Sequence, residues 1–141
     1  MSRRILFTYI VAFVMLILGC LIYLFFRDAV IFTSWLSEHF GLEMPNYGHI
    51  INGNTFLGGI FLYSLADALW YGSMLLFERP LRTDNWASRV MTIMIVFLPF
   101  ILEFLQYTGV ISGTFDWNDI IIYLLTLITF LLCSRNLYSN C

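Results

Sequence analysis

The chain has 141 residues, of which 60% are apolar and 11% charged, with a mean hydropathy of +0.84 and a formal net charge of −2 at pH 7. Soluble domains carry about 25% charged residues, so these figures exclude an ordinary soluble domain. There is no basic arm and no aromatic–arginine module, so the sequence gives nucleic-acid binding no support. The length suits one all-α domain over residues 1–141, expected to be an integral membrane four-helix bundle.

The first apolar run, residues 5–26, holds no charge and is long enough for ~33 Å of helix, a full bilayer crossing. Within it Ile17-Leu18-Gly19-Cys20 has the form of a lipoprotein cleavage box. The apolar run continues to Phe26, however, where a signal peptide would give way to polar sequence, so an uncleaved span is expected. Cys20, Cys133 and Cys141 have no metal-ligand spacing and read as free thiols.

Residues 27–55 form the longest polar connection. Ile31, Phe32, Trp35, Leu36 and Phe40 share one helical face, Ser34, Ser37 and Glu38 the other, and Gly41 supplies a stop. The pattern predicts an interfacial amphipathic helix between the first and second spans, with Trp35 at headgroup level. A lid over a pocket would use the same residues. A Pro/Asn/Gly loop follows, and Asn54 or Thr55 can cap the second span.

The second span, residues 56–77, is interrupted only by Asp67; the third, 90–107, carries Pro99 and Glu103; the fourth, 117–133, is the shortest. Arg3 and Arg4 precede the first span, Arg79, Arg82 and Arg89 lie between the second and third, and Arg135 follows the fourth, leaving Arg27 opposite. That is the positive-inside pattern, which predicts a multi-pass inner-membrane protein with both termini cytoplasmic.

With that orientation Asp67, Glu103, Asp116 and Asp119 all fall towards the outer side. Hydrocarbon tolerates a carboxylate only if it is neutralised, paired or wet. Tyr63, Ser64, Asp67 and Tyr71 make one polar stripe; Pro99, Glu103 and Gln106 make a second; Asp116, Asp119, Tyr123 and Thr126 make a third. Lipid offers such stripes no partners, so they are expected to face one another and gather the acids. Pro99 removes the backbone hydrogen bond to Ile95 and could open the helix around Glu103. Gathered acids can be protonated, because burial and like charge both disfavour the carboxylate. They can instead share a cation or face water. The plainer account is that they cap helices, and it is strongest for Asp116 and Asp119, which stand where a helix begins.

The ligand-binding candidates are therefore Asp67, Glu103, Gln106, Asp116 and Asp119, with Tyr63, Tyr71 and Tyr123 as hydrogen bonders. Glu103 and Asp119 are the candidates for a divalent cation, the one cofactor considered. His39 and His49 have no ligand spacing to a second His, Cys or acid. No Ser or Cys has a positioned histidine, so no machinery for nucleophilic catalysis is visible.

Glu103-Phe104-Leu105-Gln106, then Gly113-Thr114-Phe115-Asp116-Trp117-Asn118-Asp119 and an apolar run, resemble the second half of the VanZ-like membrane proteins, which show E-x-x-Q in one helix and a D-x-x-D step opening the next. Ser64-Leu65-Ala66-Asp67-Ala68-Leu69-Trp70 resembles the polar segment of the preceding helix. The resemblance covers residues 56–132. An arginine commonly precedes the paired aspartates in that family; Gly113 and Thr114 stand there here. The resemblance implies a bacterial envelope protein in the inner membrane.

The reading that follows is a membrane protein binding a polar or cationic ligand, such as a lipid headgroup or lipid-linked envelope precursor, in an outward acidic pocket. The rivals are a proton- or cation-coupled transporter or channel, which four helices could form only as a homo-oligomer, a membrane enzyme using an acid or a divalent metal, and a structural subunit of a membrane complex.

Overall fold

The computed structural model describes residues 3–26, 37–41, 45, 47, 58, 64–111 and 115–138, the last five of these by backbone alone. Among the described residues the structure is all-helical, without strands. Among the described residues, besides a helical turn at residues 37–40 and π-helical residues 64–65 leading into α2, there are four α-helices and one 3-10 turn: α1 (Arg3–Phe26), α2 (Ala66–Glu78), the 3-10 turn (Arg79–Leu81), α3 (Trp86–Tyr107) and α4 (Trp117–Tyr138). Two of them, α1 and α3, are long and apolar enough to cross a membrane.

α2 is the hub and packs against α1, α3 and α4. Tyr9 meets Phe77 at 6.0 Å between ring centroids, and Gly19 lies against Ala66 and Trp70, so α1 runs antiparallel to α2. The Tyr71 hydroxyl donates to the Val96 carbonyl at 3.0 Å, and Glu78 meets Thr92, so α3 is antiparallel to α2 as well. Tyr71 against Tyr123 and Arg79 over Phe130 set α4 parallel to α2.

Small residues decide how closely α1 approaches. A Cβ on Gly19 would stand 3.2 Å from the Ala66 carbonyl oxygen, and one on Gly72 would stand 2.7 Å from the Met15 methyl. Gly19, Ala12 and Ala66 are all buried, the small-residue contact that lets helix backbones touch where lipid supplies no hydrophobic drive. The core is an aromatic layer: Tyr71, fully buried, packs edge-on against Tyr123 at 5.6 Å and Phe100 at 6.4 Å, with Leu75 below. Pro99 is buried and leaves Ile95 without its helical donor. In that same turn the Tyr71 hydroxyl bonds the neighbouring Val96 carbonyl, the kind of side-chain partner that membrane helices use at prolines.

The helix ends differ from the sequence reading in two places. α3 begins at Trp86, four residues before the expected start, because the Asn85 side chain accepts the Ser88 backbone N–H at 2.7 Å and caps it. α4 extends to Tyr138, beyond the expected residue 133, which removes its apparent shortness. Gly41 ends the turn at 37–40 with φ +63°, as its position suggests, and its N–H donates to Ser37 O at 3.0 Å. The rest of the expected amphipathic helix, the cap at Asn54 or Thr55, and the start of the second span lie outside the described residues.

Large apolar side chains cover the outside. Phe7, Ile10, Phe13 and Ile17 on α1, Ile93, Met94, Phe97 and Ile101 on α3, and Ile121, Leu124, Ile128 and Leu131 on α4 are all exposed. α3 opens at Trp86, 79% exposed, and closes at Tyr107, 69% exposed; α4 opens at Trp117, also 69% exposed. Trp86 and Tyr107 are ~32 Å apart along the helix, about the thickness of a bilayer's hydrocarbon core.

Candidate functional site

The packing sorts the charged residues to opposite ends. Arg3 and Arg4 begin α1, while Arg79, Arg82 and Arg89 surround the α2–α3 connection and Arg135 lies near the end of α4. The antiparallel and parallel pairings bring all of these to one end. Asp67 is one turn from Tyr71, Glu103 one turn from Phe100 and Asp119 one turn from Tyr123. All three therefore stand in the layer beyond the aromatic core, towards the other end.

Glu103 and Asp116 meet. Glu103 is buried, and its Oε2 accepts the Asp116 backbone N–H at 3.5 Å; Asp119 and Asp116 are both near enough to act on it electrostatically. A carboxylate at the N-terminal end of α4 is favourably placed with respect to the helix dipole. Asp116 caps α4: its Oδ1 accepts the Asn118 N–H at 2.9 Å, and its Oδ2 accepts from Asn118 Nδ2 at 3.3 Å. Asp116 is exposed and Asp119 half-buried, so this trio forms a rim at the helix end. Gln106, one turn beyond Glu103, is half-buried.

Asp67 faces another space. It lines a cavity of about 430 Å³ between α1 and α2, walled by Gly19, Cys20, Tyr23, Ala66 and Trp70. Among these described wall residues Asp67 is the carboxylate and the remainder is mostly apolar. The small side chains at Gly19 and Ala66 leave the recess, while the rings of Tyr23 and Trp70, both partly exposed, flank it. The structure thus brings Glu103, Asp116 and Asp119 together and places Asp67 on the side of α2 that faces α1.

Of the tyrosines, Tyr71 and Tyr123 belong to the core, and the Tyr71 hydroxyl is committed to Val96. Tyr63 and His49 lie outside the described residues, and His39 is exposed. No group of three or more His, Cys, Asp or Glu among the described residues is placed to hold a metal ion. Glu103 and Asp119, the cation candidates, have Asp116 beside them with its carboxylate engaged by Asn118.

Sequence reasoning missed the best-formed polar cluster, at the arginine end. Glu78 is 2% exposed at the last turn of α2. Arg82 grips it with two hydrogen bonds, Nε to Oε1 at 3.1 Å and Nη2 to Oε2 at 2.9 Å, and the Thr92 hydroxyl also donates to Oε1. Ser88 continues the network, accepting the Thr83 N–H at 2.9 Å. The available signal was the i, i+4 spacing of Glu78 and Arg82, which puts opposite charges on one helical face.

Compared with protein-family models, curated proteins and solved structures, the chain matches none. The VanZ-like resemblance therefore rests on the motif residues quoted above.

Proposed function

We propose that this is a small multi-pass membrane protein, a four-helix bundle in a bacterial inner membrane, that binds the polar end of a lipid-like amphiphile in the cavity between α1 and α2. The carrying observation is the cavity itself: about 430 Å³, its described walls mostly apolar with Asp67 as their carboxylate, between α2 and an α1 whose outer face exposes Phe7, Ile10, Phe13 and Ile17. Its size lies in the range of small-molecule sites. Exposed apolar surface on this scale is foreign to soluble monomers and suits lipid contact. Trp86 at one end and Tyr107 with Trp117 at the other match the aromatic belts of a bilayer's two interfaces.

On the same footing we assign both termini to the cytoplasm, because the arginine-bearing ends meet there. The VanZ-like resemblance fits: the residues corresponding to its E-x-x-Q and D-x-x-D steps, Glu103 and Asp116, are neighbours in space. A reporter fused to the C-terminus and active only in the cytoplasm tests the topology; activity only from the outside overturns it. Ligand binding is tested by thermal unfolding of the purified protein against a single-chain amphiphile. Cys20, exposed on the cavity wall, is replaced by tryptophan to fill it. Stabilisation of the wild type that the Cys20→Trp variant loses supports the reading, since a ligand of the native state stabilises by mass action. Equal stabilisation of both proteins sinks it.

A second reading has its own support. Asp116 caps a helix, Glu103 accepts the N–H of Asp116 and Glu78 is paired with Arg82, so three of the acids serve the architecture. A structural subunit of a membrane complex needs nothing more. It predicts that no amphiphile changes stability through the cavity.

A further inference from the structure

We infer that the arginine end of the assembly carries two contacts for anionic phospholipid, one on α1 at Arg3 and one on α3 at Arg89, each pairing a guanidinium with a lipid phosphate. The inference concerns a different surface from the α1–α2 cavity and shares with the reading above only the bilayer. Level is the first support. Tyr9 meets Phe77 and Thr92 meets Glu78, so Arg3 stands ~9 Å beyond the former contact and Arg89 ~4.5 Å beyond the latter, at 1.5 Å per helical residue. Both arginines are exposed, and the exposed Trp86, one turn beyond Arg89, marks an interface there.

The apolar surface below each arginine is the second support. On α1 the exposed Phe7, Ile10 and Val14 continue the face of Arg3 at i+4, i+7 and i+11. On α3 the exposed Ile93 and Phe97 continue the face of Arg89 at i+4 and i+8. A phospholipid has the matching outline, a phosphate at headgroup level and acyl chains that run along the apolar stripe. Charge is the third. Arg3, Arg4, Arg79, Arg82, Arg89 and Arg135 reach this end, against two acids, Glu78 and Asp84, on the connected α2 and α3. Residues 1–27 and 120–141 contain no acidic side chain, so α1 and the far end of α4 bring arginines without acids. A zwitterionic headgroup presents its ammonium to that surplus along with its phosphate; an anionic one does not, and is selected. The chain has no lysine, and a guanidinium meets a phosphate with two parallel N–H donors where an ammonium gives a point charge. These contacts lie on open outer faces and exchange with the bulk bilayer.

The test is thermal unfolding of the full chain in detergent, titrated with lysophosphatidylglycerol, lysophosphatidylcholine of the same chain length, and inorganic phosphate. At low salt the anionic lipid is expected to stabilise at about tenfold lower concentration than the zwitterionic one, the scale of two arginines beside anionic headgroups. At about 1 M salt, where the screening length falls to about 3 Å, the two lipids are expected to act alike. The anionic preference should persist in Cys20→Trp and vanish in the Arg3→Gln/Arg89→Gln double variant. A preference that salt does not reduce overturns the inference even if the double variant fails to fold. Lipids that act equally on the wild type at low salt overturn it too, and the cavity reading stands if Cys20→Trp removes both effects. A preference that Cys20→Trp removes and the double variant keeps moves the selection to the cavity and overturns the arginine contacts. Inorganic phosphate that reproduces the effect at the same concentration overturns the lipid assignment.

Discussion

The two ends of the helix assembly handle carboxylates in opposite ways. At the arginine end Glu78 is shut into a closed network: both its oxygens are engaged by Arg82, Thr92 adds a hydroxyl, and Ser88 ties the network to the connecting segment. At the other end Glu103 reaches a single backbone N–H at long range, Asp116 and Asp119 are partly or wholly open, and Asp67 lines a cavity. The first arrangement is what a buried charge requires to be structurally sound. The second is more open to the surroundings, with Asp116 exposed and Asp119 half-buried. The comparison predicts that stability is concentrated at the arginine end, and the proposed response to a cavity ligand belongs to the acid end.

Substitutions at the arginine end should carry the largest cost. Arg82→Met leaves the Glu78 carboxylate buried beside Thr92 without its charge partner. Breaking a buried pair costs about 3–5 kcal/mol, but Arg82 is itself 53% exposed, which screens the pair, so a loss of about 2 kcal/mol is expected. Adding Glu78→Gln to Arg82→Met should recover part of it, and unfolding of the two singles and the double gives the coupling directly. Equal losses in the double and in Arg82→Met would mean that the pair does not act as a unit.

Helix contact comes next. Gly19→Val would drive a side chain against the Ala66 backbone carbonyl, which cannot rotate away, and should cost about 1–3 kcal/mol. At Gly72→Ala the obstacle is the end of the Met15 side chain, which can swing aside, so the cost should stay below about 1 kcal/mol. Unfolding midpoints of the two variants rank them; the reverse order would place the close contact elsewhere. Tyr71→Phe removes one buried hydroxyl bond to Val96 and should cost about 1 kcal/mol.

The smallest effects belong at the acid end. Asp116→Ala should cost about 1 kcal/mol through the lost cap. Glu103→Gln keeps an oxygen to accept the Asp116 N–H and should change stability by less than about 0.5 kcal/mol. A larger loss at Glu103 than at Arg82 would invert the comparison.

Much of this architecture was legible in the sequence. Apolar runs located α1, α3 and α4, and the arginine distribution placed the helix ends that meet. The cap at Asp116 and the stop at Gly41 followed from local residue chemistry. Two things were not legible. Polar stripes on three helices suggest a single gathering of acids, but a stripe spans more than one inter-helix seam. Asp67 consequently lines the cavity with α1 while Tyr71, one turn on, turns into the core with α3 and α4. Glu78 was hidden because it stands among arginines at a span's end, where a charge ordinarily looks solvated; its burial comes from Thr92 on a different helix, a contact that no local pattern reports.

The central claim, that the acid end is a lipid cavity and the arginine end a closed clasp, is tested most directly by native mass spectrometry of protein extracted from its membrane. Wild type, Cys20→Trp and Arg82→Met would be compared for retained lipid. The account predicts a retained lipid on the wild type and on the intact fraction of Arg82→Met, and none on Cys20→Trp. The same lipid retained in equal amount by Cys20→Trp would contradict it.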